Sequence, residues 1–169
     1  MFLYNIIETV KNISGDIMKI KDIMTRDLVI GNIDSTISEI SKIMQQADIG
    51  FVPIADGNKI VGIITDRDIV IRALANNAES NTEVEKYMTT NIISIEQDKT
   101  IEDAINLMGK EQIKRLIITN NNKVVGILSL SDIINMDVNS NLVLENQKKI
   151  WEKSRNTDEY KTEIDDFYL

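Results

Sequence analysis

Two short motifs carry the residues best suited to ligand chemistry: Thr65-Asp66-Arg67-Asp68 and Ser129-Leu130-Ser131-Asp132. Each is a hydroxyl followed three residues later by a carboxylate, directly after a β-branched apolar run. A carboxylate at a strand-to-helix junction accepts hydrogen bonds from both vicinal hydroxyls of a ribose. The hydroxyl and the first-turn N–H groups face a ribose or phosphate oxygen, where the helix dipole favours negative charge. The same spacing is also a capping box, in which these side chains serve the helix's own backbone. The two roles are compatible, and recurrence after the same Gly-containing strand argues for a site.

Cations near these motifs are few. Arg67 stands in the first, and Lys114-Arg115 opens the hairpin that leads to the second. Each alone reads equally well as a solvated surface charge. As a set in a chain of net charge −8 they point to a small anion. That charge argues against a polyphosphate backbone as partner, so nucleic acid is not expected.

With no Cys and no His, thiol and imidazole chemistry and the usual zinc ligand sets are excluded. The close carboxylate pairs, Asp66 with Asp68 and Asp165 with Asp166, do not converge on one bond. No enzyme and no metal site is therefore expected. No apolar run approaches the roughly 20 residues of a membrane span, and no signal peptide is legible, so a cytoplasmic location is expected.

The elements that position these motifs occur twice. An offset of 64 aligns residues 21–72 with 85–136 without a gap. Met24-Thr25 meets Met88-Thr89, and Asp34, Thr36, Ile37 and Met44 meet Asp98, Thr100, Ile101 and Met108. Gly62 and Asp68 meet Gly126 and Asp132. A unit near 60 residues buries little surface alone, so the copies are expected to depend on each other.

In each copy a short strand (Leu28–Ile33, Ile92–Ile95) precedes a helix capped by Thr36 with Glu39, or Thr100 with Asp103. The helices carry apolar stripes: Ile37, Ile40, Ile43, Met44 and Ala47, then Ile101, Ala104, Ile105 and Met108. A hairpin follows, Phe51–Ala55 with Ile60–Ile64 and Leu116–Thr119 with Val124–Leu128, turning at Asp56-Gly57-Asn58 and Asn120-Asn121-Asn122. Gly62 and Gly126 suggest a bulge or close backbone approach. Pro53 requires its strand to be an edge there or to turn its nitrogen outward. The unit reads β-α-β-β-α.

That order, the openings IMT and YMT, and the stretches DIGFVPIADGNKIVGIITDRDI and QIKRLIITNNNKVVGILSLSDI resemble a tandem pair of CBS domains, the Bateman module, of the small stand-alone bacterial type. The second copy is also similar to a repeat of the AMP-activated protein kinase γ subunit. The resemblance implies an α/β (α+β) fold of two repeats packed with pseudo-two-fold symmetry. It also implies an adenine nucleotide (AMP, ADP or ATP) or S-adenosylmethionine as regulatory ligand in the inter-repeat cleft, and a homodimer that signals occupancy by changing geometry. Carried over by residue, Thr65, Asp68, Ser129 and Asp132 contact ribose and phosphate, and Arg67, Lys114, Arg115 and Ser131 contact phosphate. Thr25, Ile30, Ile49, Phe51 and Pro53 surround one base, and Thr89 and Ile113 the other. Ile117 in place of Pro53 and Lys114 in place of Gly50 are departures that alter the second pocket.

The implied organisation is an amphipathic extension (1–18), repeat 1 (19–75), a polar linker (76–84), repeat 2 (85–137) and a helical, then polar tail (138–169). Trp151 in that tail packs on its own domain or docks a client protein. The alternative to a ligand sensor is a ligand-free scaffold, its pockets filled by Phe51 and Lys114, acting in dimerisation or protein interaction.

Overall fold

The structure, a computed structural model, describes residues 17–135 and 140–155, the last helix with its side chains only over 143–150. The amphipathic pattern of residues 1–16, the Trp151 side chain and the polar end of the tail lie outside the described residues.

The described residues form two compact units, one over Arg26–Ile93 and the other combining residues 17–25 with the described residues from Ser94 onward. In the first, β1 (Gly31–Asn32), α1 (Ile37–Ala47), β2 (Phe51–Asp56) and β3 (Lys59–Thr65) form a mixed sheet of order β1-β2-β3 with a helix. The second repeats this with β4 (Ser94–Glu96), α3 (Ile101–Glu111), β5 (Arg115–Asn120) and β6 (Lys123–Ser129), in the order β4-β5-β6. In both sheets the middle strand is parallel to the short strand and antiparallel to its hairpin partner.

The expected caps are present. Thr36 accepts from the Glu39 N–H while the Glu39 carboxylate accepts from the Thr36 N–H, and Thr100 pairs with Asp103 in the same way. Ile37, Ile40 and Met44 of α1 are buried, as are Ile101, Ala104, Ile105 and Met108 of α3. Ala47, at the end of its stripe, is exposed. The hairpins turn at Gly57 (φ 57°) and at Asn121-Asn122 (φ 51° and 62°), the latter with the paired left-handed residues of a type I′ turn.

The first strand is shorter than its β-branched run implied, because only Gly31 and Asn32 pair with β2, opposite Ile54 and Ala55. Pro53 therefore has Ile63 of β3 on one side and no β1 partner on the other. At that residue the strand is an edge, where a missing N–H costs nothing. In the second unit β4 is one residue longer and faces Ile117, which retains its N–H.

The lead-in segments are exchanged between repeats. Residues 19–25 precede repeat 1 in sequence but belong to the unit built on repeat 2. There the Ile20 N–H donates to Lys99 O (3.0 Å), and Thr25 and Ile127 exchange two backbone hydrogen bonds of 2.9 Å. Residues 82–89 do the same for repeat 1: the Val84 N–H donates to Ser35 O (2.9 Å), and Thr89 pairs with Ile63 at 2.8 and 2.9 Å. Ile20 and Val84 are fully buried. This exchange is the physical form of the mutual dependence expected of two small repeats.

Past β3, residues 66–76 form α2, which opens as one α turn (Asp66–Asp68), widens to a π-helical stretch (Ile69–Ala73) and tightens to a 3-10 turn (Leu74–Asn76). Past β6 come α4 (Leu130–Asn135) and α5 (Ser140–Arg155). No described helix is long and apolar enough to cross a membrane.

Candidate functional site

Both hydroxyl-x-x-carboxylate motifs lie at the strand-to-helix junction and both form capping boxes. In the first unit the Thr65 N–H and hydroxyl donate to Asp68 Oδ2 at 3.0 and 2.7 Å, and the Asp68 N–H donates to Thr65 Oγ1 at 3.1 Å. The other carboxylate oxygen, Oδ1, is held by Arg72 Nε at 3.4 Å. Arg72 also donates from Nη1 to Tyr87 O and Thr89 Oγ1, both at 3.1 Å. The Asp68 carboxylate is thus engaged on both oxygens by its own unit.

In the second unit the Ser129 N–H donates to Asp132 Oδ2 at 2.8 Å and the Asp132 N–H donates to Ser129 Oγ at 3.1 Å. Asp132 Oδ1 accepts no hydrogen bond among the described residues, and the position matching Arg72 is Met136. The two motifs are alike in sequence and unlike in availability. Arg72 was the residue that sequence reasoning missed, and its signal was the mismatch of Arg72 with Met136 at the repeat offset.

A concavity of about 250 Å³ opens in the second unit beside this motif. Lys114, Arg115, Leu130, Ser131, Ile134, Asn135 and Gln147 line it. Three of the expected phosphate contacts, Lys114, Arg115 and Ser131, therefore share one wall system. Lys114 borders this space instead of filling it, and its carbonyl accepts from the Leu130 N–H at 2.8 Å. Gly50, its counterpart, accepts from the Asp66 N–H at 3.2 Å, and a Cβ at Gly50 would meet Asp66 Oδ2 at 2.6 Å. Among the described residues the lining contains two cations and no carboxylate, which suits an anion.

The remaining expected residues fall in both units. Arg67 is exposed, and its N–H donates to Asp66 Oδ1 at 2.7 Å. Ile49 packs against the first unit's core, Phe51 and Pro53 are buried, and Ile30 is 45% exposed. Ile113 is half-buried, its N–H donating to Met108 O at 3.0 Å. Thr25 lies on β6 in the second unit and Thr89 on β3 in the first, each in the unit opposite to its own repeat. Among the described residues no cluster of acidic side chains is arranged to hold a metal.

The CBS domain family model matches residues 20–74 and 84–139. The chain belongs to the CBS domain family. As a tandem CBS pair it is 35% identical over 114 residues to the CBS domain-containing protein YhcV of Bacillus subtilis, covering 68% of this chain and 81% of the relative. It is 30% identical over 115 residues to hypoxic response protein 1 of Mycobacterium tuberculosis, covering 67% and 80%. Among solved structures it resembles the CBS domain pair of protein MJ0100 in complex with 5-methylthioadenosine and S-adenosyl-L-methionine. That match has a TM-score of 0.65 and 31% identity over 71% of this chain and 95% of the other.

Proposed function

We propose that this CBS pair is a regulatory module that binds a phosphate-bearing adenosyl compound at the second-repeat unit, without catalysing a reaction on it. The observation that carries this reading is the basic concavity bounded by Lys114, Arg115 and Ser131, the residue before Asp132. In a chain of net charge −8, the described lining of this wall carries two cations, Lys114 and Arg115, and no carboxylate. The ligands of the MJ0100 pair are adenosyl compounds without phosphate and support the adenosyl part of this reading; the phosphate part rests on Lys114 and Arg115.

Titration calorimetry with AMP, ADP, ATP and S-adenosylmethionine tests the reading, on the wild type, Asp132→Ala and a Lys114→Ala/Arg115→Ala double variant. At least one of AMP, ADP and ATP is expected to bind, with affinity lost in both variants, and more tightly than S-adenosylmethionine, which carries no phosphate. No binding by any compound, or binding indifferent to both variants, overturns it.

A second reading applies to the first-repeat unit, whose Asp68 is committed to Thr65 and Arg72. That unit serves structure and self-association. Val70, Ile71 and Leu74 of α2 are exposed at 57%, 46% and 52%, an apolar strip suited to pairing with a second copy. Light scattering should find a dimer for the wild type and a monomer for Val70→Asp/Leu74→Asp.

A further inference from the structure

Helix α5 stands outside the repeated β-α-β-β-α pattern, yet it reaches the basic concavity. Val143, Asn146 and Ile150 are 5%, 3% and 2% exposed and recur at i, i+3 and i+7, which gives α5 one buried face. Its counterpart on α3 is Gly109. A Cβ there would collide with the Asn146 side-chain amide, so the absence of a side chain is what lets the helices approach. The Gln112 amide donates from Nε2 to Lys149 O at 3.1 Å, a second tie between the same elements. With Asn146 set into α3, the next residue, Gln147, is half-buried and joins Lys114, Arg115, Ser131 and Asn135 around the concavity.

We propose that Gln147 is a ligand contact: a phosphate group held by Lys114 and Arg115 also accepts a hydrogen bond from the Gln147 amide, so occupancy ties α5 to the start of β5. The inference rests on the proposed phosphate-bearing ligand in this pocket. The lining groups agree in chemistry, since ammonium, guanidinium, hydroxyl and the two amides all offer donors to a phosphate oxygen. Two neighbouring cations suit a chain of phosphates better than one. Among the described side chains Gln147 is the pocket residue that α5 supplies, and through it occupancy is reported to that helix.

The test uses the full chain and three probes, ATP, adenosine and inorganic tripolyphosphate, titrated into the wild type, Gln147→Ala, Gln147→Glu and Lys114→Ala/Arg115→Ala. Gln147→Ala should weaken ATP and tripolyphosphate about 3- to 10-fold. Gln147→Glu should weaken them further, by placing a carboxylate against phosphate, and adenosine should be indifferent to both. Hydrogen exchange over residues 143–150 should slow on adding ATP to the wild type and not to Gln147→Glu. Both substitutions leave the Val143, Asn146 and Ile150 face intact, and melting curves check that they fold.

If ATP binds in a Lys114/Arg115-dependent way and neither Gln147 variant changes it, the inference is overturned and the function stands. If tripolyphosphate binding depends on Gln147 but ATP binds no tighter than tripolyphosphate, the inference stands and the adenosyl reading falls. Equal losses for adenosine and ATP would overturn the phosphate contact. A wild type that binds neither ATP nor tripolyphosphate overturns both.

Discussion

Arg72 Nε sits 3.4 Å from Asp68 Oδ1 in the first unit, and this ion pair separates two motifs that read alike in sequence. Arg72 is fixed in turn by Tyr87 O and Thr89 Oγ1, so the carboxylate, the guanidinium and the exchanged lead-in segment form one network. Among the described residues Asp132 has no such cationic neighbour. At the repeat offset the position of Arg72 is taken by Met136, so the sequence itself sets the two copies apart here.

Asp68→Ala and Asp132→Ala should therefore have opposite consequences. Loss of Asp68 removes the acceptor for Thr65 and the partner of Arg72, costing about 1–2 kcal/mol, or roughly 2–8 °C in Tm. Its effect on ligand affinity should be small. Loss of Asp132 should cost less stability but weaken a ribose-bearing ligand about 10-fold or more. Parallel melting and calorimetry of both variants measure this; equal binding losses would show that the first motif is also a ligand site.

Much of this was legible in the chain. Hydroxyl-x-x-carboxylate spacing, the β-branched runs of the hairpins and the Asn-Asn turn are local signals, decided by a few neighbouring residues, and each appears where its chemistry predicts, whereas the run Leu28–Ile33 pairs only at Gly31 and Asn32. The exchange of residues 19–25 and 82–89 was not legible, because Met24-Thr25 pairs with Gly126 and Ile127 through contacts a hundred residues apart that no local pattern encodes. The same holds for Gln147, which reaches the pocket only because Gly109 admits Asn146. The open or engaged state of each carboxylate depended on Arg72, a residue that reads from sequence as an ordinary exposed helix cation.

Gly62 and Gly126 face the exchanged methionines, and they should not tolerate alanine equally. A Cβ at Gly126 would meet the Thr25 carbonyl at 2.8 Å and Met24 Sδ at 2.9 Å, whereas at Gly62 the obstacles are atoms of the Met88 side chain. A flexible thioether can swing aside, but a backbone carbonyl locked in a two-bond bridge cannot. Gly126→Ala should cost about 1–3 kcal/mol, and Gly62→Ala less. Denaturant melts rank them, and the reverse order would mean that the Thr25 bridge yields easily.

The lead-in segment is also tied down by charge. Lys21 Nζ donates to Asp98 Oδ1 at 2.7 Å, and this hydrogen bond, followed by the Lys21 charge itself, holds the Asp98 carboxyl below its ordinary value. Because the folded-state pKa is depressed, the stabilisation is fully present above the unfolded-state value near pH 4 and is lost as pH falls through the lower folded-state value. The Tm difference between wild type and Asp98→Asn should be greatest above about pH 5, shrink toward pH 2–3 and diminish in high salt. A difference that grew on acidification would assign the effect to another group.

Gly109→Ala sets two local effects against each other. Within α3, replacing Gly by Ala favours the helix by up to about 1 kcal/mol. The same methyl occupies the space of the Asn146 amide, and such overpacking costs about 1–3 kcal/mol. Because the gain resides in α3 and the loss in the α3–α5 contact, global Tm should move little while α5 loosens. Hydrogen exchange should accelerate over residues 143–150 and stay unchanged or slow over 101–111. If Gln147 meets the ligand, Gly109→Ala should also weaken ATP without touching any pocket residue, by displacing the helix that presents the amide. Unchanged exchange over 143–150 would mean that Asn146 turns aside at negligible cost and that the close approach of α5 at Gly109 does not hold it in place.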